Sequence, residues 1–259
     1  MKGIRHTDRL AAIAASADRS DLPIDAKPFV EAYYAQVAHE DLAGDPRMLA
    51  AAALDHLNFG RRRKPGTALV RAFNPTLERN GWTSPHTIVE MVNDDMPFLV
   101  DSSTMTLGLL GHGIHLTIHP RFTVERDGRG TLRSIAARRS GDEGLAESFI
   151  RIEISRQTDP DVLKRIETEL AAALADERAA VEDWKPMLAQ LRDASRQLAE
   201  SRGSTPEIRR EACAFLDWLA DDHFTLLGYR EYRLRRGASA DTLVAVPGTG
   251  LGILRETER

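Results

Sequence analysis

Between Ile114 and Glu125 apolar and polar side chains alternate, with Pro120 the only interruption. Ile114, Leu116, Ile118, Phe122 and Val124 fall on one parity; His115, Thr117, His119, Arg121, Thr123 and Glu125 fall on the other. Successive side chains of a strand point to opposite faces, so this pattern predicts a long strand with one face against a core. Proline cannot donate to a sheet ladder, which predicts an edge position or a bulge at Pro120.

The neighbouring segments constrain the architecture further. Ile88, Val89, Met91 and Val92 are apolar at both parities, as in an interior strand covered on two sides. The acid-rich turn Asn93-Asp94-Asp95-Met96-Pro97 follows, and Asp94 or Asp95 is expected to cap a helix whose first turn carries Pro97. Phe98, Leu99, Met105, Leu109 and Leu110 are its expected apolar positions, with Gly111 and Gly113 as its stop. After the alternating strand, Asp127–Gly130 predicts a hairpin turn into Leu132–Ala137. The loop Ser140–Gly144 leads to a strand with Ile150, Ile152 and Ile154 on one face. Asp159-Pro160 opens a helix with Val162, Ile166, Leu170 and Leu174 spaced by four, and Ala179–Trp184 reads as a final short strand. The order strand–helix–strand–strand–helix–strand predicts an α+β, ferredoxin-like antiparallel sheet with both helices on one face. The Leu132 strand is one more than that plan needs; it either shares a slot with the Ile150 strand or widens the sheet.

Helical segments flank this sandwich. Phe29, Val30, Tyr33, Tyr34 and Val37 recur at helical spacing after Pro28. Asp45 caps a second helix in which Leu49, Ala53, His56 and Leu57 share a face, and Gly60 with the run Arg61–Gly66 ends it. A short strand, Ala68–Phe73, follows. Beyond Pro186 come two helices, Met187–Glu200 and Pro206–Ala220, the second with Ile208, Ala212, Phe215 and Leu219 as its expected buried stripe. Phe224–Leu234 and Thr242–Val246 pair as strands, fewer than an independent sheet normally needs, so the chain reads as a fragment of something longer. The expected division is a helical segment 1–65, the α/β sandwich 66–185, a helical connector 186–222 and the start of a second, truncated α/β module at 223–259.

Several function classes are excluded at this level. A formal net charge of −4 gives no electrostatic footprint for nucleic acid. No apolar run approaches the roughly 18 residues that span a bilayer, and the first residues lack a secretory pattern. A single cysteine, Cys213, forms no internal disulfide, which points to the cytoplasm. Ala- and Arg-rich usage hints at a bacterial source.

The chemical motifs have plain structural readings. Asp94 and Asp95 are explained by helix capping rather than by an acid/base pair, although free helix N–H groups there suit an effector carboxylate. His115 and His119 lie roughly 13 Å apart along a strand, too far to share one zinc ion at ~2 Å from each. They read instead as solvent- or interface-facing. Gly248-Thr249-Gly250-Leu251-Gly252 mimics part of a dinucleotide loop, but Ile253 stands at the third glycine position. The run Arg61–Lys64 reads as a solvated complement to a helix dipole. No Ser/His/Asp order, Walker loop or Cys-x-x-Cys pair is present.

The string His86–Ser102, together with Gly113-Ile114-His115-Leu116, resembles the N-terminal region of the large bacterial NAD-specific glutamate dehydrogenases. Tyr33-Tyr34 with Glu40-Asp41-Leu42, Phe73-Asn74-Pro75 and Phe224–Arg230 are similar to it as well. The resemblance implies a non-catalytic region with ACT-like regulatory modules and no catalytic residue, metal or cofactor of its own. It implies NAD for the parent enzyme, which converts L-glutamate to 2-oxoglutarate and ammonia. ACT domains often carry an Asp-x-Pro-Gly-Leu turn where an amino-acid effector docks; here it reads Asp95-Met96-Pro97-Phe98-Leu99, with Phe98 in place of the glycine and expected to fill the pocket. The expected effector site is Asn93, Asp94, Asp95, Met96, Pro97 and Phe98. The expected interface residues are His115, Thr117, His119 and Arg121, on a homo-oligomer whose other partners are downstream domains of the same polypeptide. The alternative is an architectural spacer that binds no effector.

Overall fold

The computed structural model describes residues 6–17, 25–203, 205–237 and 239–255. They form two compact units, 1–174 and 175–259, each taken here by itself.

The first unit begins with three helices: α1 (His6–Ala15), α2 (Ala26–Tyr34) and α3 (Pro46–Phe59). Asp25 and Asp45 cap α2 and α3 by accepting from the N–H groups of Lys27 and Arg47. Strand β1 (Leu69–Phe73) and a one-turn helix, α4 (Leu77–Asn80), lead to β2 (Thr87–Asp94). Helix α5 (Leu99–Leu109) follows, then β3 (Ile114–Ile118), β4 (Arg121–Arg126), β5 (Leu132–Ala137), β6 (Leu145–Ile154) and α6 (Pro160–Glu182). The boundary between the units falls inside α6.

The antiparallel sheet runs β1-β2-β6-β4-β5, with β3 also on β6. Pro120 breaks the alternating stretch into two strands, and β3 and β4 occupy one slot beside β6, registering on its two halves. It is therefore β3 and β4 that share a slot, while β5 widens the sheet beyond β4. Ala179–Trp184 is not a strand: α6 continues to Glu182 and α7 starts at Trp184. The edge slot beside β2 is filled instead from upstream, by β1 in register Leu69↔Val92 to Phe73↔Ile88.

Alternation along the strands divides two cores. On one face Val89, Met91, Ile150, Ile152 and Ile154 pack with Leu99 and Leu107 of α5 and with Ile166, Leu170 and Leu174 of α6. Both sandwich helices lie on this face, as the element order predicts. The other face is not open. Val92, Ile118, Phe122, Val124 and Phe149 pack against Ile13, Phe29, Val30, Tyr33 and Leu57 of α1–α3, and Phe29 stacks on Phe122 at 4.9 Å.

Helix α5 turns differently from its sequence pattern. It buries Leu99, Ser103 and Leu107 and exposes Met105 and Leu109. Ser103 pays no desolvation penalty, because its hydroxyl donates to the Leu99 carbonyl at 2.6 Å.

In the second unit, α7 (Trp184–Glu200) and α8 (Pro206–Trp218) precede two ribbons: β7 (Gly228–Tyr229) with β10 (Leu251–Gly252), and β8 (Tyr232–Arg235) with β9 (Thr242–Ala245). The expected stripe of α8 is exposed at Ile208 and Phe215. No helix among the described residues is long and apolar enough to cross a membrane.

Candidate functional site

The corner between β2 and α5 is assembled from four elements. Asn93 and Asp94 end β2, opposite Ser148 and Glu147 of β6. Neither Asp94 nor Asp95 caps α5; the residue before the helix is Phe98, whose φ of 69° is left-handed, and Pro97 lies outside the helix. That conformation normally suits glycine and costs a side-chain-bearing residue about 1–2 kcal/mol. Phe98 thus keeps the backbone path of a glycine. Its ring does not fill the corner; it points outward, 53% exposed.

The two acids diverge, as adjacent residues at a strand end do. Asp94 accepts from Arg63 Nη2 at 2.5 Å and from the Gly66 N–H at 2.8 Å. Arg63 is buried and also binds Glu147 at 2.6 Å, while Arg126 grips Glu147 at 2.6 and 2.7 Å. Arg63 is therefore not a solvated end of a basic run. Its partner Glu147 lies 84 positions away, and nothing in the local pattern signals it.

Asp95 faces the other way, towards β4 and β6. Its N–H donates to the Ala146 carbonyl at 2.9 Å, and its Oδ1 accepts from the buried Ser148 hydroxyl at 2.7 Å. His119 Nε2 lies 2.9 Å from the same Ser148 oxygen, and Arg121 Nη1 lies 3.8 Å from Asp95 Oδ2. The Ser148 proton is committed to Asp95, so His119 must donate to the serine rather than accept from it. This is the reverse of an activated nucleophile, in which the imidazole takes the serine proton. Burial holds the His119 pKa below its usual value, opposed by the nearby Asp95 charge. The arrangement positions charges of opposite sign; it does not generate a nucleophile.

Of the expected effector residues, Asp95, Pro97 and Phe98 border the accessible side of the corner. Asn93 is buried, Asp94 is held by Arg63, and Met96 packs against the α5–α6 core. Of the expected interface residues, His119 and Arg121 join the corner. Thr117 is half-buried, and exposed His115 stacks on His86 at 4.2 Å and contacts Ser155. Among the described residues no strand pairs with the outer side of β3.

A second polar cluster lies on the opposite face of the sheet, beneath α2 and α3. Glu90 is fully buried and accepts from Arg71 at 2.5 and 2.8 Å. His56, also fully buried, lies between the Tyr33 hydroxyl at 2.8 Å and the Met91 carbonyl at 3.2 Å. The carbonyl can only accept, so His56 carries its proton on Nε2 and Tyr33 donates to Nδ1. Desolvation drives the His56 pKa well down and pushes that of Glu90 up to about 7. The apolar residues around Glu90 signal the strand, but no local pattern signals that the acid within it is buried against Arg71.

No group of three metal-ligating side chains occurs among the described residues. The glycine-rich segment is held by an acid distant in sequence: the Gly252 N–H donates to the Asp183 carboxylate at 2.7 Å, and Arg255 pairs with the same acid at 2.6 Å. A turn rather than a helix follows it, so no helix N-terminus faces a pyrophosphate. These residues do not fit a nicotinamide dinucleotide.

The sheet, its two sandwich helices and the strand-to-helix corner define an ACT-like α+β domain. Residues 29–170 match the family described as glutamate dehydrogenase, ACT1 domain, and the chain belongs to that family. It is 38% identical over 240 residues to the NAD-specific glutamate dehydrogenase of Halomonas elongata, covering 91% of this chain and 15% of that protein. The corresponding protein of Pseudomonas aeruginosa is 35% identical over 188 residues, covering 72% of this chain and 12% of that protein. That of Mycobacterium tuberculosis is 30% identical over 218 residues, with 81% and 12% covered. The chain thus spans less than a sixth of the length of these relatives.

Proposed function

We propose that this chain is the regulatory and assembly region of a cytoplasmic, NAD-dependent glutamate dehydrogenase, and that it performs no chemistry itself. The parent polypeptide would deaminate L-glutamate oxidatively, with NAD and glutamate bound outside this segment. The corner at Asp95 would hold the α-amino and carboxylate groups of an amino-acid effector. The observation that supports this is the pair Asp95 and Arg121, 3.8 Å apart, at a turn whose Phe98 ring is exposed. A zwitterion entering between them exchanges one ion pair for two. Its effect would reach the active site through contacts with downstream domains and with a second subunit along the open edge of β3.

Titration with each amino acid, followed by calorimetry and thermal shift, tests the reading, because a ligand bound only by the folded state raises its stability. Binding that is lost in Asp95→Asn and Arg121→Ala supports an effector site. Absence of any response at about millimolar concentrations supports the second reading, a spacer that binds no effector. That reading is favoured by one observation: Asp94 and Asp95 already have protein partners.

A further inference from the structure

A row of three charged side chains crosses the sheet beneath α2 and α3. Arg71 of β1 stands opposite Glu90 of β2, and Glu90 stands opposite Arg151 of β6. Directly opposed residues share a face and approach to about 5 Å at Cβ. The row is nevertheless unevenly bonded. Both Arg71 contacts go to Glu90 Oε2, at 2.5 and 2.8 Å, and Oε1 has no hydrogen-bond partner among the described residues. Arg151 is buried, and its Nε and Nη1 have none either. An orphaned acceptor and two orphaned donors thus sit on adjacent strands, where each lost bond costs free energy. The remaining nitrogen, Nη2, donates to Glu153 Oε1 at 3.0 Å, and the guanidinium lies 4.5 Å over the Trp82 ring. Glu153 Oε2 lies 3.1 Å from His86 Nδ1, and His86 stacks on exposed His115 of β3.

The groups facing Glu90 from the helices are Asp55 and His56 of α3 and Tyr33 and Tyr34 of α2. Asp55 pairs with Arg71 at 3.2 Å. His56 Nδ1 stands 3.9 Å from Glu90 Oε1 and accepts from Tyr33, while Tyr34 donates to the Leu49 carbonyl. Burial keeps His56 neutral, so it adds no cation. With Glu90 protonated, two guanidiniums face two carboxylates, Asp55 and Glu153. With Glu90 ionised, three carboxylates share the same two cations. Arg71 occupies Oε2, so the proton belongs on Oε1. We propose that Arg151 is a two-position arm: it holds Glu153 while Glu90 Oε1 carries a proton, and crosses to that oxygen when the proton leaves. Its Nε and Nη1 then gain their acceptor, the Trp82 ring loses its cation, and Glu153 is left to His86. A buried acid thereby controls a contact that reaches the exposed side of β3. Burial raises the Glu90 pKa to about 7 against the pull of Arg71 and Arg151, which places the exchange near neutral pH.

The test is an NMR titration of the chain between about pH 5 and about pH 9. It follows the Glu90 carboxyl carbon, Arg151 Nε, the Trp82 indole N–H and the His86 ring. The first three signals are expected to move together with a midpoint at about pH 7, and the His86 ring to show an inflection there. Glu90→Gln keeps the side-chain shape and removes the exchange, so the step at Arg151, Trp82 and His86 should vanish. Glu153→Gln should leave the step at Glu90 and Arg151 and abolish its arrival at His86. An Arg151 signal that stays fixed while Glu90 titrates overturns the arm, as does a Glu90 carboxyl that does not titrate in this window. A step at Arg151 that survives Glu90→Gln overturns it too, and one at His86 that survives Glu153→Gln overturns the relay through that acid. The titration of the unaltered chain decides the arm by itself, so a folding defect in either variant cannot mimic or hide it.

Discussion

The guanidinium of Arg63 lies 2.5 Å from the carboxylate of Asp94, which ties the loop before β1 to the end of β2. With Glu147 and Arg126 it forms a buried network of two cations and two anions beneath the corner. Removing one member leaves an uncompensated buried charge, which is costlier than the pair is stabilising. Arg63→Ala should therefore lose about 3–5 kcal/mol of stability in urea unfolding. Arg63→Lys, which keeps the charge but not the fork, should recover part of the loss.

Glu90 makes the stability depend on pH in a direction unusual for an acid. Its pKa is raised from 4.5 to about 7, so between those values the folded chain holds a proton that the unfolded chain releases. The contribution is fully present below the unfolded value and is lost as pH rises through about 7. His56 works in opposition. Kept neutral by burial, it costs stability as pH falls through its ordinary 6.5. Glu90→Gln should remove the first effect and leave the second. Moving from about pH 8 to about pH 5 should then cost the variant about 3 kcal/mol more than the parent chain, as measured by denaturant midpoints at each pH.

Phe98 pays for its left-handed backbone without burying its ring. Phe98→Gly should raise stability by about 1 kcal/mol, whereas Phe98→Ala should give no such gain. Thermal denaturation of the two variants separates backbone strain from loss of the ring.

Gly130 turns β4 into β5 with φ of 80°, and a Cβ there would meet the Arg63 carbonyl, which sits beside the buried network. Gly130→Ala should lose more than about 1 kcal/mol, read in the same unfolding assay.

Much of the sandwich is legible where a local rule suffices. The apolar run of β2, the Asp127–Gly130 turn, the isoleucines of β6 and the four-residue spacing in α6 each carry their own signal. The misreadings share a cause: each depends on a partner distant in sequence. Ala179–Trp184 was expected as a strand because the plan needed a last edge, yet its Ala and Glu content suits the helix that forms, and β1 had already filled that edge. Met105 and Leu109 are apolar at helical spacing, but the orientation of α5 is set by where β2 and β6 lie, so Ser103 goes inward. At the corner the turn itself was visible. Ser148, the residue that fixes Asp95, was not, because it arrives from 53 positions away.

Filling the edge slot from β1 has a consequence for the order in which the domain is made. All six strands of its sheet have emerged by Ile154, and both core helices are represented by Leu174. The strands and helices that pack here among the described residues are thus all made before the connector, so they can assemble while synthesis continues.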